Sequence, residues 1–448
     1  MLDTTENRAA AVLTEASTSE PLRPGRLGAL ASAVRRRVSA SGTLFRFSSA
    51  SVAMNAATMI CNIIILRWLA PDTMGLWQSL LLIGTYAGIA QGGVTHGLNR
   101  ELPFRLGQGS SELVEELAGT ARVGALAGSG LCLLSMPFTW LVFSEGAERW
   151  GAAAVLFGTA AQIYRQYLIA TYKAARAFET LARIHVAEIV ATVATLPLVF
   201  WFGYYGLAIQ FVVLRWGNVL LVHAFRPLRQ VGRFSWVRMK ELYGTGIPLF
   251  AFGYLSDVAR SFPRVVLLAL GGVTWVGLFA PANAIIGALI LIPGSLGIYV
   301  YPQMSYRFGR TGDPASLWPM ARATLLWSLV VGLPMAVCMI AVAPSLLPAL
   351  FPAYSASIPA VQWTAVAGVF LGASVAVNAL ASLKAYKHMF TFVGARMVLL
   401  FVLPWLGGRC CGGTTGVAAG MAAAYAVDFV IVLLLVRSAT SVPAGFSK

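Results

Sequence analysis

Three charged residues share one face of a stretch that is otherwise apolar. Residues 249–270 read LFAFGYLSDVARSFPRVVLLAL, with Asp257, Arg260 and Arg264 spaced three and four apart. On a helix this spacing stacks them along one stripe, behind Gly253. Pro263 removes a backbone donor there and is a place for a kink. A charge at the centre of a membrane helix costs about 3 kcal/mol or more, so such groups usually face protein or a water-filled cavity. Asp257 can pair with Arg260. Arg264 has no acidic neighbour on its own helix, although a place near the outer interface would let it snorkel.

Other charges sit in apolar stretches and suggest partners. Arg165 and Glu188 lie equally far from the centre of one short loop, so an antiparallel hairpin sets them at one depth. Arg396 and Asp428 are placed similarly, within about a turn of each other. Both read as buried structural ion pairs. Arg215, in VVLRWGN, has no assignable carboxylate. The tally within apolar stretches is five arginines against Glu188, Asp257 and Asp428, which makes the interior cationic. Arginine stays charged and grips phosphate with two parallel hydrogen bonds, so a cationic cavity suits an anionic, phosphate-bearing ligand.

The elements that must position these residues are membrane spans. Of 448 residues, 58% are hydrophobic and 11% charged, with a mean hydropathy of +0.74, the profile of a polytopic membrane protein. Apolar runs of roughly 18 to 25 residues mark helices that cross a bilayer. Twelve are expected, at about 42–66, 75–98, 120–143, 151–172, 183–202, 204–226, 243–269, 275–300, 320–343, 359–383, 388–405 and 414–436. Lys and Arg total 33, and the outer loops of this map hold only Arg67, Arg149 and Arg409. By the positive-inside rule both termini are cytoplasmic. The net charge of +16 is then topogenic and meets an anionic inner leaflet, rather than nucleic acid. Trp68, Trp140, Trp150, Trp201, Trp275 and Trp405 fall near the outer interface of the same map.

Residues 1–41 form a cytoplasmic basic tail with no apolar run long enough for a cleavable signal peptide. Its segment RPGRLGALASAVRRRVSASG reads either as a short basic helix on the membrane surface or as a disordered tail. Cys61, Cys132 and Cys338 read as packing residues; Cys410 and Cys411 share an outer loop, where a vicinal disulfide is one option. No Cys/His spacing suggests a metal site, and no cofactor is expected.

Transporters are often built from repeated halves. A shift of 202 residues lays MGLWQS, from Met74, on VGLFAP, from Val276, and FRLG, from Phe104, on YRFG, from Tyr306. Two parallel six-helix bundles follow, at 42–227 and 243–437, joined by a cytoplasmic linker at 228–242 and followed by a tail at 438–448. The shift also sets Asn55 on Asp257 and Asn62 on Arg264. The first and seventh spans are therefore expected to face each other across a central cavity. Substrate contacts are assigned to Arg215, Arg260, Arg264, Asp257, Asn55 and Asn62.

The stretch ILRWLAPDTMGLWQSLLLIGTYAGIAQGGVTHGLNRELPFRLG, from Ile64, resembles the opening hairpin of Wzx-type polysaccharide flippases. These form a branch of the multidrug/oligosaccharidyl-lipid/polysaccharide exporter superfamily. The second half agrees through GGVTWVGLFAPANAIIG, IPGSLGIYVYPQMSYRFGR and LPALFPAYSASIPAVQW. In one place the chain departs: where the family often has an Asp-Arg pair, this sequence reads Pro263-Arg264. The resemblance covers most of 42–436. It implies an all-α polytopic membrane protein with two bundles around a central cavity, and alternating access. It further implies a polyprenyl-diphosphate-linked glycan as substrate, with glycosyltransferases and a polymerase of a glycan-assembly pathway as further partners beside the membrane lipids.

Other classes fit less well. A multidrug exporter of this fold would favour an acidic or aromatic cavity for cationic drugs, and the lipid II flippases usually have fourteen helices. A glycan polymerase or ligase needs a substantial outer domain or catalytic loop. Here the outer loops are short, and His96, His185, His223 and His388 are scattered. The chain is therefore not expected to be an enzyme, and with no G-x-x-x-x-G-K-[ST] motif it is not expected to hydrolyse ATP. A scaffold has no use for five membrane arginines. A reporter fused after Lys240 should read cytoplasmic and one placed within 346–357 external; the opposite pair of signals would overturn the map.

Overall fold

The computed structural model describes residues 24–107, 111–228 and 232–441, and these are helical almost throughout, with no strand among them. In chain order the main helices are α1 (Pro24–Trp68), α2 (Pro71–Ala87), α3 (Val94–Gly107), α4 (Ser111–Ser135), α5 (Gly146–Ala174), α6 (Phe178–Ala194) and α7 (Leu196–Ala224). The second half follows with α8 (Trp236–Leu278), α9 (Ala280–Thr311), α10 (Trp318–Leu350), α11 (Ile358–Ala373), α12 (Tyr386–Cys410) and α13 (Gly413–Ser441).

Among the described residues, nine helices are long and apolar enough to cross a membrane. The other expected spans are helical as well. Helices α2 and α6 have 17 residues each, at the short limit for crossing a bilayer. Helix α5 is long, but Gln162, Arg165 and Gln166 make it polar. That polarity has a use in the site described below.

Several boundaries differ from expectation: the span expected at 75–98 is broken between α2 and α3, where Gly92 and Gly93 have positive φ, and residues 196–202, expected to end the fifth span, belong to α7. Residues 24–41, expected as a tail or short surface helix, continue into the first span as one 45-residue helix. The remainder of both expected tails, 1–23 and 442–448, lies outside the described residues. Helix α8 begins at Trp236, so the segment 236–242, expected as linker, forms its first turns. Ser235 caps it by accepting from the Arg238 amide. The five cysteines are free thiols in this structure, Cys410 and Cys411 included.

The non-helical backbone within α8 falls at Gly272 (φ 66°), not at Pro263. A positive φ is open to glycine at little cost. In the 202-residue register Gly272 corresponds to Ala70, the second of the two residues between α1 and α2. The chain therefore breaks at matching places in both halves, and the last turns of α8 repeat the start of α2.

Contacts between the halves follow the same register. The Thr274 hydroxyl donates to the Asp72 carboxylate at 2.5 Å, across a separation of 202 residues. A Cβ on Gly75 would lie 1.8 Å from the Val273 carbonyl oxygen, and one on Gly277 would lie 1.8 Å from that of Pro71. Val273 and Gly277 are Pro71 and Gly75 shifted by 202, so each contact is the image of the other. An axis relating the halves must pass between them. Beside it Tyr354, fully buried, donates to the Leu69 carbonyl at 2.9 Å and packs with Ile65, Met74 and Ala280. This end of the molecule is closed by backbone-to-backbone packing.

Helix α8 is shared between the halves. Near its start Gly246 meets Gly93 and Leu242 meets Gly97, while Glu241 pairs with Arg105 (2.6 Å) and Arg238 with Glu116 (3.1 Å). Farther along, Phe262 packs on Phe401 and Leu270 on Gly408 of α12. Overpacking typically costs about 1–3 kcal/mol. Gly75→Ala and Gly277→Ala should therefore lower the melting temperature in detergent by similar amounts. Gly309→Ala, whose Cβ meets open space, should not. Equal melting of all three would reject the contact.

Candidate functional site

Helices α2, α5, α7 and α8 enclose a cavity of about 600 Å³. Its wall holds Arg215 from α7 and Asp257, Arg260 and Arg264 from α8. The spacing on α8 turns these three side chains to one face, and Gly253, one turn earlier, has open space where a Cβ would stand. Asp257 and Arg260 form an ion pair, yet their side chains remain 59% and 47% exposed. They are therefore accessible rather than locked in the core. The Arg215 guanidinium donates to Gln162 Oε1 at 2.5 Å and lies 5.1 Å above the Phe211 ring. Arg264 has no ion-pair or hydrogen-bond partner among the described residues. Asp257 is the one carboxylate in this wall, so three guanidiniums leave an excess of positive charge.

Glutamines complete the polar lining. Gln91 donates to Gln166 at 2.5 Å, and both face the cavity with Gln162. His96 stands at its edge, packed edge-on against Phe250, with its Nδ1 buried and without a hydrogen-bond partner. These residues were missed in the sequence. The signal for two of them was Gln162 and Gln166 at i and i+4 in AQIYRQY, an amide pair inside a span.

A second cavity of about 420 Å³ adjoins the first, and Arg264 and Leu81 line both. Asn62 lies in its wall. Asn55 does not line either cavity and is corrected here: it is exposed on α1, which packs on α6 rather than on the charged stretch of α8. The expected opposition of Asn55 and Asp257 assumed equal packing of equivalent helices. The halves share a register but not every neighbour.

The two hairpin pairs form. Arg396 binds Asp428 through Nη2 at 2.6 Å and Nε at 3.2 Å, with the guanidinium 4.3 Å above Phe392. Both side chains are at most 5% exposed. Arg165 meets Glu188 at 3.2 Å and donates to Asn218 at 2.5 Å, while Glu188 also meets His185 Nδ1 at 2.6 Å. Neither pair lines either of the two cavities.

A model of a family described as polysaccharide biosynthesis protein matches residues 152–357, which include every cavity-lining charge. No curated protein matches. Among solved structures, an inward-facing multidrug resistance MATE family transporter of the MOP superfamily superposes with a TM-score of 0.71 at 15% identity, covering 86% of this chain and 94% of its own. The lipid II flippase MurJ in an inward closed conformation gives 0.68 at 13% identity, over 87% of each chain. The Vibrio cholerae MATE transporter VcmN in its bent form gives 0.59 at 14%, over 90% of this chain and 97% of its own. At these identities the likeness is one of fold. The chain shares the fold of these membrane transporters. The description of the matched family and the shared fold agree with the resemblance carried by the sequence.

Breaking a buried pair by removing one partner costs about 3–5 kcal/mol, whereas replacing both by apolar residues is often neutral. Glu188→Gln and Asp428→Asn should both reduce expression, Asp428→Asn the more because its pair is drier. The double changes Arg165→Met with Glu188→Met, and Arg396→Met with Asp428→Met, should restore yield. Parental expression of every single variant would show that the pairs do not brace the fold.

Proposed function

We propose that this protein flips a polyprenyl-diphosphate-linked oligosaccharide from the cytoplasmic to the outer leaflet of a bacterial inner membrane, with both of its termini in the cytoplasm. The observation that carries the reading is the gathering of Arg215, Arg260 and Arg264 on one cavity with Asp257 as their only carboxylate. Each phosphate of the linkage brings negative charge, and a guanidinium meets its oxygens with paired donors. In the empty cavity Asp257 holds Arg260 and limits the unpaired charge. On binding, Arg260 can turn from that carboxylate to the diphosphate, and Arg264 is free to meet it from the start. The glycan crosses in the polar interior while the polyprenyl chain stays in lipid.

Alternating access follows from the halves exchanging which end is closed. The glycine contacts around Gly75 and Gly277 must part for release. A cationic drug would meet this wall unfavourably, which argues against multidrug export. A lipid II precursor shares the diphosphate and differs in its glycan, so it is a neighbouring reading rather than an opposed one. The driving force is an ion gradient, the membrane potential, or consumption of the product outside.

Lysine at 260 or 264 keeps the charge and loses the fork, while alanine loses both. Flipping of the lipid-linked glycan in proteoliposomes should fall in the order Arg, Lys, Ala, by about 10-fold or more for alanine, as expected for losing a charged hydrogen bond of ~1.5–3 kcal/mol. Arg215→Ala should behave likewise. Wild-type rates in all three alanine variants would reject the site, and failure to insert would assign these arginines to bracing.

A further inference from the structure

The second cavity has a different chemistry from the first. Its polar groups are amides, Asn62 from α1, Gln78 from α2 and Asn283 from α9, and its only charge is Arg264. The indole of Trp77 lies among them, held edge-on by Tyr204 and Phe211 at 6.3 and 5.4 Å between ring centres. Amides that both donate and accept, set beside an aromatic ring, suit a neutral, hydroxyl-rich ring. The rest of the wall is apolar, with Ile65, Leu66, Met74, Leu207 and Ile286, so an amphipathic ring with an apolar face and a hydroxyl edge matches both kinds of surface.

The two cavities meet at Arg264 and Leu81. Phe211, which underlies Arg215 in the first, touches Trp77 in the second. A ligand with a diphosphate on the arginines would place the group bonded to it at this junction. The amides come from both halves of the chain, and Asn283 donates to Gln78 at 3.1 Å across the boundary. Sugar hydroxyls could take over that bond without leaving either amide unpaired.

We infer that the second cavity is a saccharide subsite, in which Asn62, Gln78, Asn283 and Trp77 recognise the sugar linked directly to the diphosphate. This rests on the diphosphate reading of the first cavity and deepens it, because the amides would select among substrates that share the same lipid carrier. Arg264 is the common wall and serves both parts of the ligand.

The test uses the full chain in lipid nanodiscs and two probes, polyprenyl diphosphate alone and the same lipid bearing one N-acetylhexosamine. The parent should bind the glycosylated lipid about 10-fold more tightly, the yield of one or two net hydrogen bonds. Asn62→Leu, Gln78→Leu and Asn283→Leu should each cut that ratio to about 3-fold or less and leave affinity for the bare lipid unchanged, which also shows that they fold. Arg264→Ala should weaken both probes. Equal affinity of the parent for both probes, or an undiminished ratio in the leucine variants, would overturn the subsite. If a variant loses both probes, the parental ratio decides alone. Bare-lipid binding that ignores Arg215→Ala, Arg260→Ala and Arg264→Ala would instead sink the diphosphate reading, whatever the sugar ratio.

Discussion

A charge cannot be left in a bilayer without a partner or water, and this protein is arranged around that constraint. It answers in two ways. Arg396 and Asp428 are at most 5% exposed and satisfy each other almost completely. Arg165 is likewise committed, to Glu188 and Asn218. The remaining arginines are provided with a cavity instead. Arg215 leans on a glutamine, Arg260 pairs with one carboxylate, and Arg264 lines both cavities with no hydrogen-bond partner among the described residues. The difference between a brace and a binding site here is how completely the charge has been answered.

Building such a cavity requires walls that approach closely elsewhere. Pairs of glycines supply this, with the Gly75 and Gly277 contacts at one end of α8 and Gly93 with Gly246 near its start. Helix α8 consequently touches both halves and carries the charged stripe between them. The reciprocal contacts of Gly75 with Val273 and of Gly277 with Pro71 carry the register of the sequence into the folded molecule. Where two images of one segment meet, a change in their separation moves both halves at once, which is the geometry alternating access needs.

Charge balance decides the ligand class more sharply than the fold does. The same superfamily fold is found in a multidrug transporter and in a lipid II flippase, so architecture alone leaves the cargo open. Three guanidiniums against one carboxylate favour an anion. The cavity beside them adds three amides and an apolar wall, with Arg264 as the charge the two share.

Much of this was legible in the residues. Apolar runs gave most of the helices, because hydrophobic length acts locally along the chain. Hairpin geometry gave the partners of Arg165 and Arg396, since a short loop fixes the depth of its flanks. The i, i+3, i+7 spacing gave the stripe on α8. Tertiary structure alone decided which helices stand opposite that stripe. It brought Gln162 and Gln166 of α5 to the cavity, set Asn62 beside Arg264, and left Asn55 outside. Those placements depend on how helices far apart in sequence lean on one another. That is set by glycine contacts and packed side chains from both halves together, which no local pattern encodes.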